Sequence, residues 1–226
     1  MNIFLDTQTT GLKKTDKILS IGILTQDTEI YNLVNEGKKI PPLASSINHI
    51  TNEMIKTSPP LSKSEAMAYL KNNNSESNVI IGHNIGFDLL KLSEYNFLFK
   101  GEIIDTMRVV KHLIPECEIF SLQYLRYELK LYKEASTTLT PHHALHNAKL
   151  TKILYEYLLE IESTQNMIEL SKKNVLLDKF TFGKYSGRYI EEIAMNDRGY
   201  LEWMLLNVSD LDEDLRYSID YYLRGN

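Results

Sequence analysis

The sequence predicts an α/β protein whose mixed sheet is covered by helices and followed by a small C-terminal extension. Three observations carry this. Short, branched, apolar segments open the chain, brief strands then alternate with segments of helical spacing, and the residues beyond 174 differ in composition from what precedes them.

Asn2 to Asp6, Lys17 to Leu24 and Glu29 to Asn35 read as strands, separated by turn-type residues at Lys13 to Asp16 and Gln26 to Thr28. They predict an antiparallel meander. Pro41, Pro42, Pro59 and Pro60 bracket Leu43 to Ser58, which is expected to cross the surface with one helical turn at Asn52 to Lys56. Leu61 to Lys71 has helical spacing, with Ser62 or Ser64 as its cap. Val79-Ile80-Ile81-Gly82 then reads as a buried strand, Phe87 to Phe97 as helix, Ile103-Ile104 as a last strand and Thr106 to Leu113 as helix. Leu122, Leu125, Leu129 and Leu131 mark another helix. A final long helix begins near His142, with Leu145, Leu150, Ile153, Leu154, Tyr157 and Leu158 on its apolar stripe. Ser163 to Asn174 is polar, so the domain reading is a main domain over 1–162, a linker over 163–174 and a small domain over 175–226. In that last part Phe180-Thr-Phe-Gly-Lys-Tyr-Ser-Gly-Arg sets aromatics around two glycines and two cations. There is no internal repeat.

At 226 residues, with 43% hydrophobic and 24% charged residues, the chain has the balance of a globular protein with a substantial core. Its 25 basic and 30 acidic residues give a net charge of -5, so any polyanion must be met locally rather than through the long-range field. A lone cysteine, Cys117, excludes an internal disulfide and a multi-cysteine metal site. The start lacks a basic region before an apolar run, and no stretch reaches the roughly 18 apolar residues of a spanning helix. A cytoplasmic protein without membrane contact is expected.

Residues that carry chemistry stand far apart in the sequence. Asp6 ends the first strand, where ligands collect in open α/β sheets, and Gln8 shares its face while the chain stays extended. His83-Asn84-Ile85-Gly86-Phe87-Asp88 follows the buried strand, which puts Asp88 in the first turn of a helix. His142-His143-Ala144-Leu145-His146-Asn147 opens the long helix. Each has a plainer reading: Asp6 as a strand-end turn residue, Asp88 and Asp105 as helix caps, His142 as a helix-start histidine with His143 and His146 as rivals.

Taken in this order, the fragments resemble the DEDDh subclass of 3′ to 5′ exonucleases, the DnaQ-like group with a ribonuclease-H-like fold. Its motifs are Asp-x-Glu, a middle Asp in a His-Asn-x-x-Phe-Asp setting, and His followed five residues later by Asp. Asp6, Asp88 and His142 match, while Gln8 and Asn147 stand where the family carries acids. Thr9-Thr10-Gly11-Leu12, Ile47-Asn48-His49-Ile50-Thr51 with Met54, Asp105-Thr106 and Ser121-Leu122 are supporting matches. Phe180 to Arg188 and Asp197-Arg-Gly-Tyr-Leu-Glu-Trp resemble the C-terminal extension of exodeoxyribonuclease X-type proteins.

The resemblance implies a mixed five-stranded sheet and a metal-dependent exonuclease that releases nucleoside monophosphates from nucleic-acid 3′ ends, with DNA as the substrate and RNA as the other candidate. Two Mg²⁺ or Mn²⁺ ions, roughly 3.5 to 4 Å apart, would clamp the attacking and leaving oxygens. Asp6 would bridge them, positions 8 and 147 would complete the first ion's ligands, and Asp88 would act directly or through water. His142 would deprotonate the attacking water, a role contributing about 10² to 10⁴ in rate. Thr9, Thr10 and Gly11 would reach the terminal hydroxyl or phosphate, with Leu12 and Phe87 against the last base and sugar or else in the core. His49 and Asn84 would contact that nucleotide or hold loops. Lys172, Lys173, Lys179, Lys184 and Arg188 form a local basic run near Phe182 and Tyr185, either a strand contact or a solvated face.

An amide keeps the shape of an acid but offers one neutral oxygen and an NH₂ that repels a cation. At an effective dielectric of about 20, a unit charge 4 Å from a divalent ion contributes ~8 kcal/mol of gross attraction before desolvation. Gln8 and Asn147 are therefore expected to weaken metal binding and hydrolysis severely, leaving the nucleic-acid groove largely intact. Both departures are isosteric, as in a site altered to trap substrate, although drift from the motif leads to the same residues. A catalytically inactive nucleic-acid-binding module and an interaction domain without nucleic-acid affinity are the alternatives.

Overall fold

The computed structural model describes residues 1–134 and 139–225. Two compact units are distinguished, Met1–Ser171 and Lys172–Asn226.

The first unit is built on strands β1 (Asn2–Thr9), β2 (Ile18–Leu24), β3 (Glu29–Leu33), β4 (Val79–Gly82) and β5 (Glu102–Asp105), in the sheet order β3-β2-β1-β4-β5. The opening meander is antiparallel, whereas β4 and β5 run parallel to β1. This is the mixed five-stranded sheet expected from the sequence. The carboxyl ends of β1, β4 and β5 therefore lie on one side, with β1 central.

Between β3 and β4 come α1 (Pro42–Asn48), a 3₁₀ turn over Leu61–Lys63, and α2 (Glu65–Asn72), whose N-cap Ser64 accepts from the Met67 amide. The helix α1 was not expected. Pro42, at its start, fixes the dihedral a first helical turn needs, so the prolines begin a helix instead of preventing one. Then follow α3 (Ile85–Ser93), α4 (Thr106–Leu113), α5 (Leu122–Glu128) and α6 (Ala144–Leu159). On α4, Asp105 is the N-cap, accepting from the Met107 and Arg108 amides.

Alternation along β1 divides its side chains between two cores. Ile3 and Leu5 pack with Met67, Leu70, Ile85 and Leu92, from α2 and α3. Phe4 packs with Val109, Leu125, Leu150, Leu154 and Leu158, from α4, α5 and α6. Segment 163–174 departs from the linker reading, since α7 (Thr164–Lys172) buries Met167 and Ile168 in the second of these cores. Two adjacent apolar residues anchor this helix, too few to stand out against its polar remainder.

The second unit holds α8 (Ile190–Asn196), α9 (Arg198–Asn207) and α10 (Glu213–Arg224). Its own core contains Phe180, Ile190, Ile193, Leu201, Met204, Leu215 and Ile219. Asp214 accepts from the Val175 amide, and Ser218 from that of Leu177, so the segment before Phe180 is tied to α10.

Candidate active site

Four of the expected residues meet at the carboxyl end of β1. Asp6 and Gln8 point to the same face of the strand, and the Gln8 amide donates to Asp6 Oδ2 at 2.8 Å. From the first turns of α6, the Asn147 amide donates to Asp6 Oδ1 at 3.3 Å. Thr7 points to the opposite face, where its amide and hydroxyl donate to Asp88 Oδ1 at 2.7 and 2.6 Å. Strand alternation thus sorts the set: β1 hands Asp6 and Gln8 to α6, and Thr7 to α3.

Burial pushes the Asp6 carboxyl well above its usual value, the nearby Asp88 charge adds to this, and the donations from Gln8 and Asn147 act against it. Burial likewise raises Asp88 to about 7, opposed by the Thr7 hydrogen bonds. Two carboxyls held this close in a desolvated setting disfavour carrying two charges.

Asn147 reaches Asp6 because α6 begins directly against β2. Gly22 pairs with Asp6 in the sheet register, and a Cβ on it would collide with the backbone of Ala144 and Leu145. Sequence reading gave Gly22 no role. It sits inside an apolar strand with no turn to announce it, and only the close approach of a helix explains it.

His142 stands just before α6 rather than within it, in a left-handed conformation with φ 55°. His143 is the N-cap and is stacked between Tyr31 and His146, with ring centroids 4.0 and 4.1 Å away. Among the described residues no hydrogen bond ties His142 to Asp6 or Asp88. Burial lowers its pKa and the neighbouring His49, a second expected residue, lowers it further.

Thr9 and Thr10 leave β1 into the loop to β2. The Asn48 amide, at the end of α1, donates to the Thr9 carbonyl at 3.2 Å, which brings His49, with φ 60°, beside this loop. Thr10 is 3% exposed and bonds Asp16, whereas Leu12 is 84% exposed. Phe87 is half-buried, not a core residue. Asn84, the N-cap of α3 with φ 60°, donates its backbone amide to Asp105 at 2.9 Å and leaves its side chain exposed. Thr7 joins Gly22 as a residue that sequence reading missed, and the bond from Asn48 to Thr9, though Asn48 stood among the supporting matches, was not foreseen. A threonine inside a strand and an asparagine before His49 carry no periodic signal.

In the second unit the basic run is largely paired. Lys184 bonds Asp197 and lies over the rings of Tyr185 and Tyr200, and Arg188 bonds Glu192.

The donor set can be tested against the divalent ions that such a site would take. Hard cations want oxygen ligands, and Asn147 Oδ1 is buried with no hydrogen-bond partner among the described residues. Yet both oxygens of Asp6 face an amide NH₂. No group of three or more His, Cys, Asp or Glu that could hold a metal occurs among the described residues. As they stand, these side chains do not fit a pair of divalent ions; acids at positions 8 and 147 would supply the two missing carboxylates.

A mixed sheet of this order, with Asp6 at the end of its central strand, Asp88 in the first turn of α3 and His142 just before α6, marks a DEDDh-type exonuclease. The exonuclease family model matches residues 3–155, and the chain belongs to that family. A second model, the exodeoxyribonuclease X-like C-terminal region, matches residues 180–209. Among curated relatives, exodeoxyribonuclease 10 of Escherichia coli K12 is 30% identical over 231 residues, covering 98% of each chain. The ε subunit of DNA polymerase III from Treponema pallidum is 28% identical over 176 residues, covering 71% of this chain and 77% of its own. Exonuclease X solved in complex with 5′-overhanging duplex DNA shares the fold, with a TM-score of 0.62 at 24% identity over 76% of this chain and 99% of that one.

Proposed function

We propose that this chain is built as a 3′ to 5′ exonuclease for DNA ends and that Gln8 and Asn147 leave it able to hold a 3′ end but barely able to hydrolyse it. One observation carries the proposal: both amides donate to Asp6, the carboxylate that would hold metal in an acid form of the site. Each Asp6 oxygen then faces an NH₂ where the family's acids would place a second and a third negative charge.

The remaining parts support the exonuclease reading. Asp88 is fixed by two donors from Thr7 rather than left to swing. Burial and His49 shift His142 toward its neutral form, the form that a general base for the attacking water needs. Thr9, Thr10, Gly11 and Leu12, in the loop that leaves β1, are assigned with His49, Asn84 and Phe87 to the terminal nucleotide. Mg²⁺ or Mn²⁺ in the acid form would neutralise charge on the attacking and leaving oxygens. The curated relative named an exodeoxyribonuclease, matched over 98% of both chains, favours DNA over RNA. A cytoplasmic site of action is proposed on composition, and no helix among the described residues is long and apolar enough to cross a membrane.

The test is restoration. Gln8→Glu with Asn147→Asp is expected to release mononucleotides from 3′-labelled DNA in Mg²⁺, at least about 10³-fold faster than the parent chain, since it returns two charges to the centre. A double variant that binds 3′ ends but stays inert makes the chain a nucleic-acid-binding pseudo-exonuclease. One that binds no nucleic acid at moderate salt leaves only an interaction domain.

A further inference from the structure

Lys91, on α3, is 1% exposed. A charged ammonium survives at such a depth only where its N–H groups all find acceptors. Lys91 Nζ donates to the carbonyls of Lys13 at 2.8 Å, Asp16 at 2.9 Å and Lys14 at 3.1 Å, and it lies 3.3 Å from Glu94. The three carbonyls belong to one stretch of backbone, the loop from β1 to β2.

The same loop is held a second time by Asp16. Its carboxylate accepts from the Thr10 hydroxyl at 2.9 Å, the Lys13 amide at 2.8 Å and Lys38 Nζ at 2.7 Å. A Cβ on Gly11 would come within 2.6 Å of Asp16 Oδ2, so the turn closes tightly over this carboxylate. What the doubly fastened loop presents is Leu12, an apolar side chain 84% exposed, followed by two lysines. Fastening costs conformational entropy and gains no core contact for Leu12.

The anchor on α3 is not an arbitrary one. Lys91 lies three residues after Asp88 and four after Phe87, so all three share a face of the helix, with Lys91 Nζ 5.9 Å from the Phe87 ring centroid. We infer that Lys91 is a positioning residue for the 3′-terminal nucleotide: it locks the loop carrying Thr10, Gly11 and Leu12 to the helix carrying Asp88 and Phe87. Loop and carboxylate are thereby set at a fixed separation. The inference rests on the preceding reading that this loop meets the end of a DNA strand.

The experiment uses the full chain. Binding of a fluorescent 3′-ended oligonucleotide by the parent is measured first, and no saturable binding there overturns the functional reading itself. Lys91→Met is then placed in the Gln8→Glu, Asn147→Asp background. The expected result is a KM for the oligonucleotide raised about tenfold with kcat held within about threefold, because ground-state positioning is lost while the reacting groups stay. Amide exchange of residues 10–17 is expected to accelerate by about 100-fold, with β4 unaffected. Lys91→Arg, which keeps the donors, is expected to recover part of the KM. Should Lys91→Met fold poorly, Asp16→Ala loosens the loop from its other side and is expected to move KM in the same direction. The inference is overturned if the loop exchanges faster while KM stays unchanged, or if kcat falls with thermal stability and KM does not move.

Discussion

Gln8 and Asn147 each aim an NH₂ at one oxygen of Asp6, so a single carboxylate is bracketed by amides where the family carries acids. Beside it Asp88 is buried and accepts from Thr7, with its pKa raised from 3.8 to about 7. An acid whose folded pKa lies above its unfolded one stabilises the fold fully below the unfolded value, and that contribution is lost as pH rises through the folded one. Without metal, stability is therefore expected to fall between pH 4 and pH 7. Asp88→Asn, which keeps the Oδ1 acceptor, should flatten that slope and gain on the order of 2 kcal/mol at pH 7 in denaturant titrations in EDTA. An unchanged slope would show that Asp88 ionises freely. At this scale the sequence was informative about chemistry: Asp6 and Gln8 had to share a face because a strand alternates, and Asp88 had to fall in a helix's first turn. It was silent about Thr7, Gly22 and Lys91, whose roles come from contacts between residues distant in sequence.

Secondary-structure elements bring these side chains together, and the join between β2 and α6 matters most. Gly22 admits the backbone at Ala144 and Leu145, and one turn further along α6 Asn147 reaches Asp6. Gly22→Ala is expected to destabilise the chain by about 1–3 kcal/mol through overpacking. In the acid-restored background it should also lower exonuclease activity at least tenfold by displacing position 147. Thermal melting and release assays check both, and a variant that loses stability but keeps full activity would place the lever elsewhere. The strands and α4 were legible because branched residues and helix-spaced apolar residues are local signals. The start of α6 was displaced by two residues from its expected place, since His142 adopts a left-handed conformation that no pattern encodes. The helix α1 and the helix α7 were missed for lack of a long apolar stripe.

Viewed as a whole, the chain has two units with separate cores, divided between Ser171 and Lys172. Leu201 is fully buried in that smaller core. Leu201→Ala is expected to cost its unit about 2–5 kcal/mol, as other buried leucines do. If the units fold independently, differential scanning calorimetry should show one transition lowered and the other, with the affinity for 3′ ends, unchanged; a single transition moving as one would show that they unfold together. The molecule's net charge of -5 means that a polyanion would have to be met locally rather than through the long-range field. What the sequence could not convey was that Lys184 and Arg188 spend their charge on Asp197 and Glu192.

Across these scales the proposed function is electrostatic: amides at 8 and 147 would deprive the Asp6 site of charge that divalent ions need. Calorimetric titration of Mn²⁺ into the parent chain and into Gln8→Glu, Asn147→Asp, side by side and without nucleic acid, measures it directly. Tighter binding by the acid form, at least about 100-fold for the first ion, is the predicted result. Equal affinity and equal stoichiometry in the two proteins would contradict it.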